Sequence, residues 1–500
     1  MNPKRLTKLK DLWNRHSVKQ KATLLILMLA LIANAYAILK EMPAIPLVTG
    51  GLVLVYLLIF RVDLLIYLMA LCTPFSIETL NGDFQLGLSL PAEAIMISLT
   101  FLFICRILYD IRLDRKIVTH PVSVAIFLYL GWMLLTCFTS ARPVVSFKFW
   151  LSKIWFTTSC YWVVVQFIRK DLTCAVRYFS CYAVSLAIVV LITTYKHWLS
   201  GFDSQYAHWV MRPFYSDHTA YGASLAFFVP ITAGFFFLPG NTTKSKVFYA
   251  ILTVILFVGL YISYSRAAWI SFAAAIAVWV ILKLRIKLSW LIAGAAVLAT
   301  IFYFSADDIL YKMSRNSQDA SGNLAEQLQS ISNISTDASN VERLNRWNAA
   351  FSMIKERPVV GWGPGTYQFE YAPFQKSTYK TIITTNFGDG GNAHSEYIGP
   401  CAETGIPGLL TVLTLAFCVL CTGFYTYNHT IDKREQLLAL VMTLALVTYF
   451  IHGFLNNFLD TDKLSLPFWG AFAVITVASV RMRNDKREPA ILQQKIKKVS

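Results

Sequence analysis

His394 stands in Asn392-Ala393-His394-Ser395-Glu396-Tyr397, at the end of a long polar stretch. Glu403-Thr404-Gly405-Ile406-Pro407-Gly408 then leads into an apolar run. An imidazole with an ordinary pKa near about 6.5 can take a proton at neutral pH, so His394 is a candidate general base. The alternative is a structural histidine. His218 is expected on the same face, which leaves a metal site open as the less favoured reading. The other six histidines show no metal-ligand spacing.

Arginines occupy similar boundaries. Arg142 and Lys148 precede one apolar run, and Arg212 lies in Val210-Met211-Arg212-Pro213-Phe214-Tyr215-Ser216-Asp217-His218 just before another. Arg266 sits in the tight turn Ser263-Tyr264-Ser265-Arg266-Ala267-Ala268-Trp269, and Arg343 and Arg346 lie on an amphipathic stretch. Guanidinium groups keep their charge and bind phosphate oxygens in pairs, so clustered arginines suit a pyrophosphate. Arg266 has almost no loop around it. It is either an interfacial anchor or a cavity arginine facing an anion. Asp460-Thr461-Asp462 has the DxD pattern of nucleotide-sugar enzymes and reads as a solvated turn. Gly388-Asp389-Gly390-Gly391 reads as loop. No P-loop, Rossmann fingerprint or GxSxG is present.

The elements that position these groups are membrane spans. Of the 500 residues, 56% are hydrophobic and 15% charged, with a formal net charge of +17. That balance excludes an ordinary soluble protein. The basic excess points to cytoplasmic loops and anionic lipid, and no nucleic-acid-binding signature accompanies it. The nine cysteines all lie in apolar stretches and read as packing residues. Apolar runs long enough to span fall near 22–39, 44–60, 62–78, 92–109, 121–139, 150–168, 173–197, 218–238, 247–264, 267–285, 287–304, 406–427, 436–456 and 464–481. The short second and third runs are the weakest of these. The first lacks a small-residue cleavage site and reads as an uncleaved span.

Charge tests this layout. The first 21 residues, the tail from Arg481 and every second loop are basic, including Arg61, Arg115-Lys116, Arg169-Lys170, Arg285 and Lys433-Arg434. The positive-inside rule then puts both termini in the cytoplasm. The expected organisation is a basic N-terminus (1–21), an N-terminal bundle of about eleven spans (22–304), a large outer loop (305–394), C-terminal spans (395–481) and a basic tail (482–500). Within the loop, 314–339 reads as mobile, with a short helix around Leu324–Ile331. Residues 340–356 read as an amphipathic helix with Leu344, Trp347, Phe351 and Ile354 on its apolar face, closed by Pro358. The fold class is therefore an all-α polytopic membrane protein of about 12–14 transmembrane helices with one large loop.

Four segments resemble the O-antigen ligase and O-antigen polymerase superfamily of bacterial envelope glycosyltransferases. They are the Arg212 segment through His218, the Ser265-Arg266-Ala267-Ala268-Trp269 turn, and Glu342-Arg343 to Trp347 with Pro358 to Gly365. The fourth is the most specific: His394-Ser395, nine residues, then Gly405-Ile406-Pro407-Gly408. The chain departs from the family in its larger span count and in His218, where many members carry Asn.

The resemblance implies a multi-pass protein of the bacterial inner membrane, with the loop and active site facing the periplasm. Its donor would be a glycan on undecaprenyl pyrophosphate and its acceptor a sugar hydroxyl of the lipid A-core, in lipopolysaccharide biosynthesis. His394 would be the base. Arg212, Arg266, Arg343 and Arg142 would hold the pyrophosphate, and Ser395, Tyr397, His218, Gly405 and Gly408 would support them. The transfer would be inverting and need no metal, cofactor or nucleotide. Alternatives are a polymerase joining lipid-linked repeats, a protein O-oligosaccharyltransferase, and a transporter. The transporter would require ionisable groups deep in the spans.

Overall fold

A computed structural model describes residues 33–34, 36, 40, 44–79, 88–109, 113–203, 206–286, 338–375 and 391–499. The expected spans at 22–39 and 287–304, the 314–339 stretch up to residue 337 and the short helix at Leu324–Ile331 lie wholly or largely outside the described residues. Two units divide the chain, residues 1–65 and residues 66–500. In the first, α1 (Ala44–Phe60) is an apolar helix with most side chains exposed.

The third expected span, 62–78, is shorter than its apolar run. Helix α2 (Val62–Cys72) gives way to a 3-10 turn at Thr73–Phe75. Pro74 has no N–H to continue the helical ladder. The chain instead enters a small antiparallel hairpin, β1 (Ile77–Thr79) and β2 (Leu88–Leu90), with Ile77 opposite Leu90.

The following helices are α3 (Ala92–Tyr109), α4 (Pro121–Phe138), α5 (Pro143–Thr157), α6 (Thr173–Leu199), α7 (His218–Phe236), α8 (Thr243–Ile262), α9 (Arg266–Leu284), α10 (Ala338–Glu356), α11 (Ile398–His429), α12 (Lys433–His452) and α13 (Asp462–Val499). Helix α5 continues through a π turn at Thr158–Val163 to Ile168. The span expected at 150–168 thus begins earlier, at Pro143, whose fixed φ suits a first helical turn. Among the described residues, nine helices are long and apolar enough to cross a membrane, and the fold is that of an all-α polytopic membrane protein.

Helix α13 is the centre of this bundle: every residue of its spanning part is buried. A helix apolar on all sides suits such a position. Helices α7 and α12 are also mostly buried, whereas under a third of the spanning residues of α8, α9 and α11 are. Small residues allow the close approaches that stabilise helix contacts in lipid. Gly234 of α7 faces Val441 of α12, where an added Cβ would overlap the valine side chain.

Helix α10 forms where the 3.6-residue pattern places it and ends before Pro358, but it buries a different face. Phe351 is 48% exposed, while Glu342, Asn345, Arg346, Ala349, Ala350 and Met353 are buried. These six repeat at helical spacing and mix polar with small residues. Ala349, Ala350 and Met353 pack with Trp362, Tyr367, Tyr371 and Ala402 in one buried cluster, and Ile354 is the member of the apolar stripe that packs against it.

Candidate active site

His394 is held from both sides by local hydrogen bonds. Asn392 Oδ1 accepts the His394 N–H at 3.0 Å, an Asx turn that accompanies a left-handed φ of +48° at the histidine. Ser395 Oγ then accepts the N–H groups of Tyr397 and Ile398, each at 3.3 Å, satisfying orphan donors where α11 begins. Ser395 is buried, so its role in this structure is to start the helix. Tyr397 donates its hydroxyl to Phe450 O at 2.8 Å and packs its ring on Phe454. That contact ties the segment to the end of α12.

Helix α10 grips the residues just before the histidine. Arg346 Nη1 donates to Asn392 O at 3.0 Å, and Trp347 Nε1 donates to Ala393 O at 3.1 Å. Arg346 is itself fixed by Glu342, 2.7 Å away, in a pair whose side chains are only 7% and 6% exposed. Gly391 lies against this guanidinium, where any Cβ would overlap it. The polar face of α10 is thus a clamp on the backbone that presents His394.

Electrostatics at His394 are unusual. Burial, then the charges of Arg346 and Arg343, push its pKa down to about 3, against an opposing pull from Asp217. The imidazole is therefore neutral at physiological pH, the form that can accept a proton. Asp217 caps α7, accepting the Thr219 and Ala220 N–H groups at 2.7 and 3.0 Å. Burial works against its charge, but these bonds and the Thr219 hydroxyl hold it below the usual carboxylate range. His218 begins α7, and Arg343 and Arg266 both lie within its electrostatic reach. Its ring meets that of His208 with centroids 4.3 Å apart. One cluster therefore contains His394, Arg343, Asp217, His218 and Arg266.

Not every expected arginine joins it. Arg142 pairs with Glu370 at 2.7 Å and lies over the Phe369 ring. It works as a strut between the start of α5 and the segment after α10. Arg212 is exposed, lies over the Trp209 ring at 4.4 Å and donates to Ser216 O at 3.2 Å. Among the described residues, Arg142, Arg212 and Arg266 are all absent from the charges that act on His394; Arg266 reaches the cluster through His218.

The two glycines of the His motif shape the helix. Helix α11 is broken at Gly405, which has φ +75°. The Pro358–Gly365 turn crosses this break: Ile406 N–H donates to Pro358 O at 2.8 Å, and Gly363 N–H donates to Glu403 O at 2.7 Å. A Cβ at Gly405 would overlap the Val359 carbonyl oxygen, and one at Gly408 would overlap Thr404 Oγ1. The nine-residue spacing separates the histidine from the kink by the short helix 398–404, which carries Glu403 against the turn.

Several participants were not legible as site residues. Asp217 carries no sequence signal beyond its place in the Arg212 to His218 segment, and Arg346 none beyond its place on the amphipathic stretch. His452, also within reach of Arg343 and Asp217, lay hidden at the end of an apolar run. The Asp460 and Asp462 turn is not solvated throughout: Asp462 is fully buried at the start of α13, and Asp460 pairs with the buried Lys153 at 2.7 Å. Glu93 and Lys463 are buried as well, each in the first turn of its helix, α3 and α13. Lys463 Nζ donates to Thr73 O and Ser76 O, both at 2.6 Å, a structural role at the turn after α2. Among the described residues, no three His, Cys, Asp or Glu side chains form a group able to hold a metal ion.

Residues 251–413 match the family model described as O-Antigen ligase. The matched segment runs from within α8 into α11 and includes Arg266, Arg343, His394, Gly405 and Gly408. A comparison with curated proteins found no match.

Proposed function

We propose that this chain, whose residues 251–413 match the O-antigen ligase family model, moves a glycan from undecaprenyl pyrophosphate to a sugar hydroxyl of the lipid A-core. The family carries ligase- or polymerase-type activity on lipid-linked glycans, and the choice of donor and acceptor is our reading. One observation carries it: a neutral histidine held at the edge of an arginine cluster. His394 takes the proton of the acceptor hydroxyl as that oxygen attacks the anomeric carbon. Arg343 and Arg266 stabilise the charge that develops on the departing pyrophosphate. A single displacement inverts the anomeric centre. The leaving group is built into the donor, so neither nucleotide nor metal is required.

The arginines that depress the His394 pKa also favour the reaction once the donor is bound. An anionic pyrophosphate offsets their charge, so the imidazole becomes a stronger base when its substrate is present. Arg212, exposed beside Trp209, is a further candidate to reach the donor. Arg142, paired with Glu370, is assigned to loop anchoring instead. We place both termini in the cytoplasm and the site at the periplasmic face of the inner membrane, from the charge alternation of the loops.

The test is to incubate purified protein with lipid-linked glycan and lipid A-core, without added nucleotide or metal. Glycan-capped lipid A-core supports the ligase. Lengthened lipid-linked chains with no capping would replace it with the polymerase reading.

A further inference from the structure

A cavity lies beside the His394 segment. It has a volume of about 330 Å³ and is bordered by Asn392, Ala393 and Glu396, the residues flanking the histidine. This is near the small end of ligand pockets, room for about one or two sugar rings. Its polar wall carries Glu396, Glu403 and Asp460 with the amides Gln368 and Asn457, and its apolar wall carries Tyr129 and Phe149. The carboxylates outnumber the one ammonium, Lys153, which Asp460 and Leu459 O already hold at 2.7 and 2.8 Å. Asn457 Oδ1 is buried and has no hydrogen-bond partner among the described residues.

We infer that this cavity is a sugar subsite, taking an uncharged pyranose whose hydroxyls bond the carboxylates and amides while a ring face stacks on Tyr129. Carboxylates accept from hydroxyl groups, amides both donate and accept, and aromatic rings cover the C–H face of a sugar. An anion finds no uncommitted cation among the lining residues, because Lys153 is already held by Asp460 and Leu459 O. The inference rests on the glycan-transfer reading for its purpose, since the sugar is either the acceptor unit or the first unit of the donor.

Direct binding tests it. Purified protein in detergent is titrated with glucose, N-acetylglucosamine, lipid A-core oligosaccharide freed of lipid, and sodium pyrophosphate, with binding read by saturation-transfer NMR. Two variants probe the cavity. Gly399→Val narrows it, since a Cβ there meets only the Ala393 Cβ at 3.5 Å. The double variant Gln368→Ala/Asn457→Ala removes two amides. Each should weaken binding of a sugar by about tenfold, the scale of one or two lost hydrogen bonds, and leave pyrophosphate binding intact as evidence of folding. Arg343→Gln should do the reverse. Unchanged sugar affinity in both cavity variants, or no saturable sugar binding by the wild type, overturns the subsite. Loss confined to the core oligosaccharide assigns it to the acceptor, and loss confined to the free sugars of the donor type assigns it to the donor. Transfer with cavity-independent sugar binding leaves the enzyme reading standing without the subsite. Cavity-dependent sugar binding without transfer does the opposite.

Discussion

Arg346 reaches from helix α10 to the carbonyl oxygen of Asn392, 3.0 Å away and two residues before His394. The two residues are 46 positions apart in the chain, and the contact decides where the histidine is presented. Its guanidinium also carries part of the positive charge that keeps the imidazole neutral. Arg346 thus acts on both the position of the proposed base and, after burial, its protonation.

Removing that guanidinium should show both effects. Arg346→Ala leaves the buried Glu342 carboxylate without its 2.7 Å partner. Breaking such a pair costs about 3–5 kcal/mol. Adding Glu342→Gln should recover part of the stability but not the transfer rate, because the Asn392 contact stays lost. Thermal unfolding in detergent and turnover of lipid-linked glycan check the two halves separately.

The pH profile carries a signed prediction. The pKa of His394 is about 3 in the folded protein and close to the ordinary value of about 6.5 when unfolded. Between those values the unfolded chain binds the additional proton, so the stability this residue contributes declines as pH falls through that window. For the same reason, kcat/KM should show no acid limb at the ordinary histidine position. Arg343→Gln removes one of the depressing charges and should move the His394 titration upward, read by NMR of labelled imidazole. A titration that stays put would break the electrostatic link between the two residues.

The spans and the His394 motif were legible because both depend on local pattern. Hydropathy over a bilayer's length identifies helices such as α7 and α12. Asn392 and Ser395 announce a turn and a cap around the histidine within four residues. The buried face of α10 was not legible, because it is defined by what it meets. Arg346 and Trp347 bond the carbonyls of Asn392 and Ala393 far along the chain, and of the two only Trp347 lies on the apolar stripe. The burial of Asp462 escaped for a similar reason, since α13 begins inside the bundle beside the carbonyls that hold Lys463.

Gly405 offers a clean backbone test. Its φ of +75° and the nearby Val359 carbonyl exclude a side chain. Gly405→Ala should cost at least about 1 kcal/mol and disturb the Pro358–Gly365 turn. Gly131→Ala in α4 is the control: nothing lies within 4 Å of its added Cβ, and alanine gains about 0.5–1 kcal/mol over glycine in a helix. Comparable losses at the two positions would remove the kink from the account.

His394→Ala in the reconstituted transfer assay tests the central claim most directly. The variant should insert and fold like the wild type, bind pyrophosphate, and form capped lipid A-core at least about 10²-fold more slowly, the scale of a lost general base. Capping at the wild-type rate by that variant would contradict the assignment of His394 as the base.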